Sequence, residues 1–149
     1  VRLLSKGPEK TLAYGLTLGG LLKKGDTVCL YGDLGSGKTT FVKGIASALG
    51  VPERDVTSAS FTIIAEHTAT SQNSSFPFYH IDLYRIEHSA ELDSIGLEGY
   101  LGREGIAVIE WAEKLRNTAD SISVTFTILN ENERDITIEG IRAEDWNNL

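Results

Sequence analysis

The stretch Gly32-Asp33-Leu34-Gly35-Ser36-Gly37-Lys38-Thr39 constrains this chain more than any other. Its spacing is G-x-x-x-x-G-K-[ST], a phosphate-cradling loop that joins a strand to a helix. The flanks agree. Asp26-Thr27-Val28-Cys29-Leu30-Tyr31 is a short apolar, β-branched run and reads as a buried strand. From Thr39 to Leu49 the apolar residues fall at helical spacing, and Gly50 supplies the stop. Gly32, Gly35 and Gly37 permit dihedrals that a side chain forbids and let successive N–H groups approach an anion. In such a loop Lys38 reaches the outer phosphates and the Thr39 hydroxyl ligates Mg²⁺.

That chemistry needs a carboxylate at the end of a neighbouring strand. Two sequences offer one: Phe78-Tyr79-His80-Ile81-Asp82 and Ile106-Ala107-Val108-Ile109-Glu110. In an open α/β sheet both acids fall at the carboxyl edge, where ligands bind. Glu110 is assigned to Mg²⁺, directly or through water, and Asp82 to the attacking water or the Mg²⁺ shell. Thr57, Ser58, Ser60 and Thr62 cluster after the loop's helix; hydroxyls there read equally as a phosphate-sensing switch or as a solvated turn. Arg85, just after Asp82, reads first as a surface ion pair and second as a group that stabilises transferring phosphate or meets a partner. His67, His80 and His88 have no paired metal-ligand spacing and read as structural or exposed. Trp111 and Trp146 read as packing residues.

The remaining segments complete an α/β pattern. Leu12, Leu16, Leu18 and Leu21 predict an amphipathic first helix with Pro8 in its first turn, weakened by Gly15 and stopped near Lys24-Gly25. The segment from Phe61 to His67 is strand-like. Residues 68–77, rich in Ser, Thr and Asn, predict a mobile loop or a hairpin tip. Residues 89–101 predict a helical region broken by Gly96 and Gly99, and residues 111–116 a short helix. Residues 122–129 and 134–141 alternate apolar and polar about Asn130-Glu131-Asn132-Glu133, as an antiparallel hairpin does. The expectation is one α/β domain over residues 1–149: a P-loop sheet with a parallel core, antiparallel additions and flanking helices.

Composition narrows the partners. The 149 residues are 41% hydrophobic and 23% charged, within the range of a soluble globular domain. The net charge of −7 argues against a broad nucleic-acid surface, though not against a local phosphate site. No apolar run spans a bilayer and no secretory signal is visible, so a cytoplasmic protein is expected; the lone Cys29 suits a reducing compartment and reads as a core thiol. Neither the guanine-reading Asn-Lys-x-Asp nor the Leu-Ser-Gly-Gly of transporter ATPases is present.

Taken together, Gly32 to Thr40, then His80-Ile81-Asp82-Leu83-Tyr84-Arg85, then Ile109-Glu110-Trp111 with Glu113-Lys114, resemble the TsaE (YjeE) family over nearly the whole chain. One departure is Ser58-Ala59-Ser60-Phe61, where the family usually has Ser-Pro-Thr-Phe; the missing proline implies a less rigid loop around the switch candidate Ser60. The resemblance implies a slow ATPase that binds ATP and Mg²⁺. It would serve threonylcarbamoyladenosine modification of tRNA with the TsaB–TsaD pair and touch tRNA only indirectly. TsaD carries the transfer chemistry, and hydrolysis resets the complex. It also implies that Thr11 and Arg134 lie near the nucleotide. On this reading Lys38, Asp82 and Glu110 are catalytic. Gly35, Ser36, Gly37, Lys38, Thr39 and Thr40 hold phosphate, and Thr39 and Glu110 hold the metal. A small-molecule P-loop kinase and a nucleotide-gated binding module are the alternatives.

Overall fold

Strand alternation fixes the layers. In the computed structural model, which describes residues 1–57, 63–118 and 120–147, the strand before the glycine loop is β2 (Thr27–Tyr31), preceded by β1 (Arg2–Ser5) and α1 (Pro8–Leu21). The chain continues through α2 (Lys38–Ala48), β3 (Ile64–Ser71), β4 (Ser74–Asp82), α3 (Ala90–Ser94), β5 (Ile106–Glu110), β6 (Ile122–Ile128), β7 (Arg134–Glu139) and α4 (Ala143–Asn147). All seven strands form one sheet in the order β1-β7-β6-β2-β5-β4-β3. The strands β6, β2, β5 and β4 run parallel; β3 joins β4, and β7 joins β6 and β1, in antiparallel fashion. The expected parallel core with antiparallel additions is therefore the architecture observed. The β2 strand occupies the centre.

Because side chains alternate across a strand, each central strand serves two cores. Val28 and Leu30, Ile106 and Val108, and Phe76 and Phe78 bury against α1 and α2. Cys29, Ala107, Ile109 and Ile81 bury on the other face, against Leu83, Leu92 and Leu97. Cys29 is thus a core thiol, and burial pushes it above its ordinary pKa. Fully burying a side chain such as Phe41 is worth roughly 1.5–3 kcal/mol.

The first helix departs from its leucine pattern. Its buried residues are Thr11, Gly15, Leu18 and Gly19, while Leu16 stands exposed. The reason is close approach. A Cβ on Gly15 would sit 2.2 Å from the Phe41 carbonyl oxygen, and one on Gly44 of α2 would sit 2.2 Å from that of Leu12. Glycine here lets two backbones touch, which helix propensity alone does not reveal.

Residues 68–77 form a hairpin rather than a mobile loop. Strands β3 and β4 pair from Ile64↔Ile81 to Ser71↔Ser74, and only Gln72 and Asn73 turn, both at positive φ (51° and 62°). Such two-residue turns match the twist of the flanking strands. The segment 111–116 holds only a single 3₁₀ turn, Ala112–Lys114. Phe61, Ser58, Ser60 and Thr62 lie outside the described residues. The β1 strand, with few residues and no strong alternation, was not evident in sequence.

Candidate active site

On the helix-bearing face the strands read apolar until their carboxyl ends and then turn polar. The β4 row runs Phe76, Phe78, His80, Asp82; the β5 row runs Ile106, Val108, Glu110. Register sets Asp82 beside Glu110 and Glu110 beside Leu30 of β2. Two carboxylates thus arrive next to the loop that leaves β2.

The loop itself needs glycine. Gly35 and Gly37 have φ of 81° and 103°, values that L side chains rarely adopt. Gly32 also accepts close approach: a Cβ there would lie 2.7 Å from Ser36 Oγ and 3.0 Å from Phe126. Lys38 opens α2 and is a buried residue. It donates to the carbonyls of Gly32 and Asp33 and lies 3.8 Å from the centre of the Trp111 ring. Burial draws the Lys38 pKa below its ordinary value, against the raising influence of Glu110, Glu113, Asp82 and Asp33.

Thr39 Oγ1 donates to Glu110 Oε1 at 3.0 Å. The other Glu110 oxygen lies 2.5 Å from His80 Nε2. Asp82 Oδ1 accepts the Tyr84 N–H at 2.9 Å. Burial pushes the Asp82 carboxyl up; the Tyr84 N–H opposes this, and the neighbouring Glu110 adds to it. The Ser36 hydroxyl is buried with no hydrogen-bond partner.

Residues 33–40, Asp82, Tyr84, Glu110 and Trp111 line a cleft of about 360 Å³. A second cavity of about 230 Å³ shares Gly35, Ser36, Gly37 and Thr40 with it, and Thr11, Asn132 and Arg134 lie on its far side. Thr11 is buried and shares a hydrogen bond with Ser5 (2.7 Å). Arg134 donates to the carbonyls of Asn130, Glu133 and Gly35 at 2.8, 3.0 and 3.2 Å. The structure therefore gathers Lys38, Thr39, Asp82 and Glu110 around one cleft, and Thr11 and Arg134 around its neighbour, with residues 35–37 and Thr40 between them. The switch candidate Ser60 lies outside the described residues, and Arg85 is exposed.

Two residues that the sequence reads only as structural or packing adjoin the site. Of its two readings, structural or exposed, His80 takes the structural one: it is 1% accessible and paired to Glu110. Its place two residues before Asp82, on the same face, was the available signal. Trp111, which reads as packing from sequence, lies under the Lys38 ammonium and takes a left-handed backbone (φ 60°) directly after Glu110.

A family model described as threonylcarbamoyl adenosine biosynthesis protein TsaE matches residues 5–137. The chain belongs to the TsaE family. Its relatives include a tRNA threonylcarbamoyladenosine biosynthesis protein TsaE of Bacillus subtilis (strain 168), 36% identical over 90% of this chain and 82% of that one. The TsaE protein of Treponema pallidum (strain Nichols) is 34% identical over 93% and 99% of the two chains, and that of Nostoc sp. is 40% identical over 87% and 80%. A crystal structure of Bacillus subtilis YdiB superposes with a TM-score of 0.72, at 32% identity, over 93% of this chain and 83% of the other. Family membership ties the chain to tRNA modification. No helix among the described residues is long and apolar enough to cross a membrane.

Proposed function

We propose that this TsaE protein is an Mg²⁺-dependent ATPase required for threonylcarbamoyladenosine modification of tRNA, acting with the TsaB–TsaD pair, whose complex its hydrolysis resets. One observation carries the reading. The loop at the start of α2, the Lys38 ammonium, the Thr39–Glu110 pair and Asp82 converge on one cleft at the carboxyl edge of the sheet. Loop N–H groups at a helix N-terminus bind phosphate oxygens, and the unpartnered Ser36 hydroxyl offers one further donor.

The residues also fit the metal. Thr39 Oγ1 and Glu110 Oε1 are adjacent hard oxygen donors. Among the described residues no three His, Cys, Asp or Glu groups could hold a metal by themselves. This suits Mg²⁺, which takes one or two protein ligands and completes its shell with phosphate and water. When bound, Mg²⁺ neutralises charge that develops on the β- and γ-phosphate oxygens. Lys38 adds positive charge on the same side. Asp82, at the cleft wall, orients the attacking water through its carboxylate. Arg134 and Thr11 flank the cavity on the other side of the loop and serve the rest of the nucleotide.

The test is ATP turnover by the purified protein, alone and with the purified TsaB–TsaD pair. Slow turnover that the pair stimulates is expected, and Lys38→Ala should abolish it. Hydrolysis unchanged by Lys38→Ala would overturn the site assignment. Turnover driven by a small acceptor and indifferent to the pair would put a kinase in its place.

A further inference from the structure

We propose that His80 is a positioning residue, which holds the Glu110 carboxylate in the orientation that presents Oε1 to the metal. The inference rests on the Mg-nucleotide reading above. Glu110 is 2% accessible and His80 1%, so neither can turn to water for hydrogen bonds. A carboxylate buried this way needs donors on both oxygens, because an unpaired oxygen would carry the full desolvation penalty. Thr39 supplies one donor to Oε1. His80 Nε2, 2.5 Å from Oε2, is the other.

The strand register explains how the pair meets. His80 stands opposite Val108 and Asp82 opposite Glu110. His80 and Glu110 are therefore diagonal neighbours on the same face, close enough for two long side chains. His80 lines neither cavity. It acts on the reacting groups only through Glu110, with Nε2 as the proton-bearing nitrogen. Hydrogen bonds of this kind fix the plane of a ligating group and typically govern metal affinity by 10–100-fold.

The experiment is fluorescent (methylanthraniloyl) ADP binding to the purified full chain, titrated with MgCl₂ and repeated in EDTA. His80→Asn, whose amide is too short to reach Oε2, should raise the Mg²⁺ midpoint by roughly 10–100-fold and leave binding in EDTA unchanged. His80→Gln, whose amide nitrogen lies near the place of Nε2, should restore most of that loss. Wild-type midpoints in both variants would overturn the proposal, and so would equal losses with and without Mg²⁺, which mark a packing role. Wild-type binding that ignores Mg²⁺ would instead remove the metal reading itself. Should His80→Asn fail to fold, ¹⁵N NMR of the wild-type imidazole decides. A proton on Nε2 is expected, and a neutral ring protonated only on Nδ1 would overturn the assignment.

Discussion

Gly44→Ala is the substitution whose effect the structure specifies most sharply. Gly44 lies inside α2, where alanine ordinarily stabilises a helix by about 1 kcal/mol. Here the new Cβ would meet Leu12 O at 2.2 Å, Leu16 N at 2.7 Å and Gly15 Cα at 2.9 Å. All three are backbone atoms, so no side chain can swing aside, and α1 must retreat by about 1 Å. Overpacking of a core costs about 1–3 kcal/mol, and contact with rigid backbone sits at the upper end. After the propensity gain, a net loss of about 2 kcal/mol remains. For a chain of this length the unfolding entropy is about 0.3 kcal/mol/K, so the melting temperature should fall by about 6 °C. The control is Gly20→Ala on α1, where a Cβ meets nothing within 4 Å. It should gain up to about 1 kcal/mol and rise by about 3 °C. Thermal melts followed by circular dichroism compare the two. Gly44→Ala melting at or above wild type would refute the backbone contact. The retreat of α1 should also weaken nucleotide binding, since it carries Thr11 away from Gly37.

Two further outcomes follow from the site. Asp82→Asn should bind nucleotide and lose turnover, and its stability should lose a pH dependence that the wild type has. Burial raises the native Asp82 pKa above its unfolded value. As pH rises through the window between the two, the unfolded chain releases a proton that the folded chain still holds, and wild-type stability falls. Asparagine keeps the acceptor for the Tyr84 N–H and cannot ionise, so its melting temperature should exceed that of the wild type above the window. Melts across pH without nucleotide check the sign. Arg134→Ala removes the guanidinium bonded to Gly35 O across the sheet end. At about 1 kcal/mol for a partly exposed, charge-assisted bond, nucleotide affinity should weaken roughly fivefold by titration; unchanged affinity would separate Arg134 from the site.

Much of this molecule is legible in its sequence because the signals are local. The loop spacing places Lys38 and Thr39, and the strand-end acids place Asp82 and Glu110, all through patterns contained within a few residues. What escaped depends on contacts between distant segments. Gly15 looked like a weak point of a helix, and only the presence of Gly44 turns it into a point of contact. His80 looked inert until β4 and β5 were set in register. Leu16 fitted the apolar stripe yet faces outward, because small residues made the buried face. For residues 68–77 the sequence left a loop and a hairpin tip equally open, because the polar residues of β3 lie at the sheet edge, where burial does not enforce alternation.

The two-residue turn at Gln72-Asn73 stands at the far end of β4 from the cleft, nine residues of strand away. It nevertheless governs which chemical groups the cleft receives. A slip of one position in β4 would rotate His80 and Asp82 to the opposite face and deliver Tyr79 and Ile81 in their place. The tight turn on one side and the parallel pairing with β5 on the other both forbid that slip. Changes of length in this hairpin would therefore act on the site as switches of all or nothing, while side-chain changes at its tip that still tolerate positive φ would leave the site untouched.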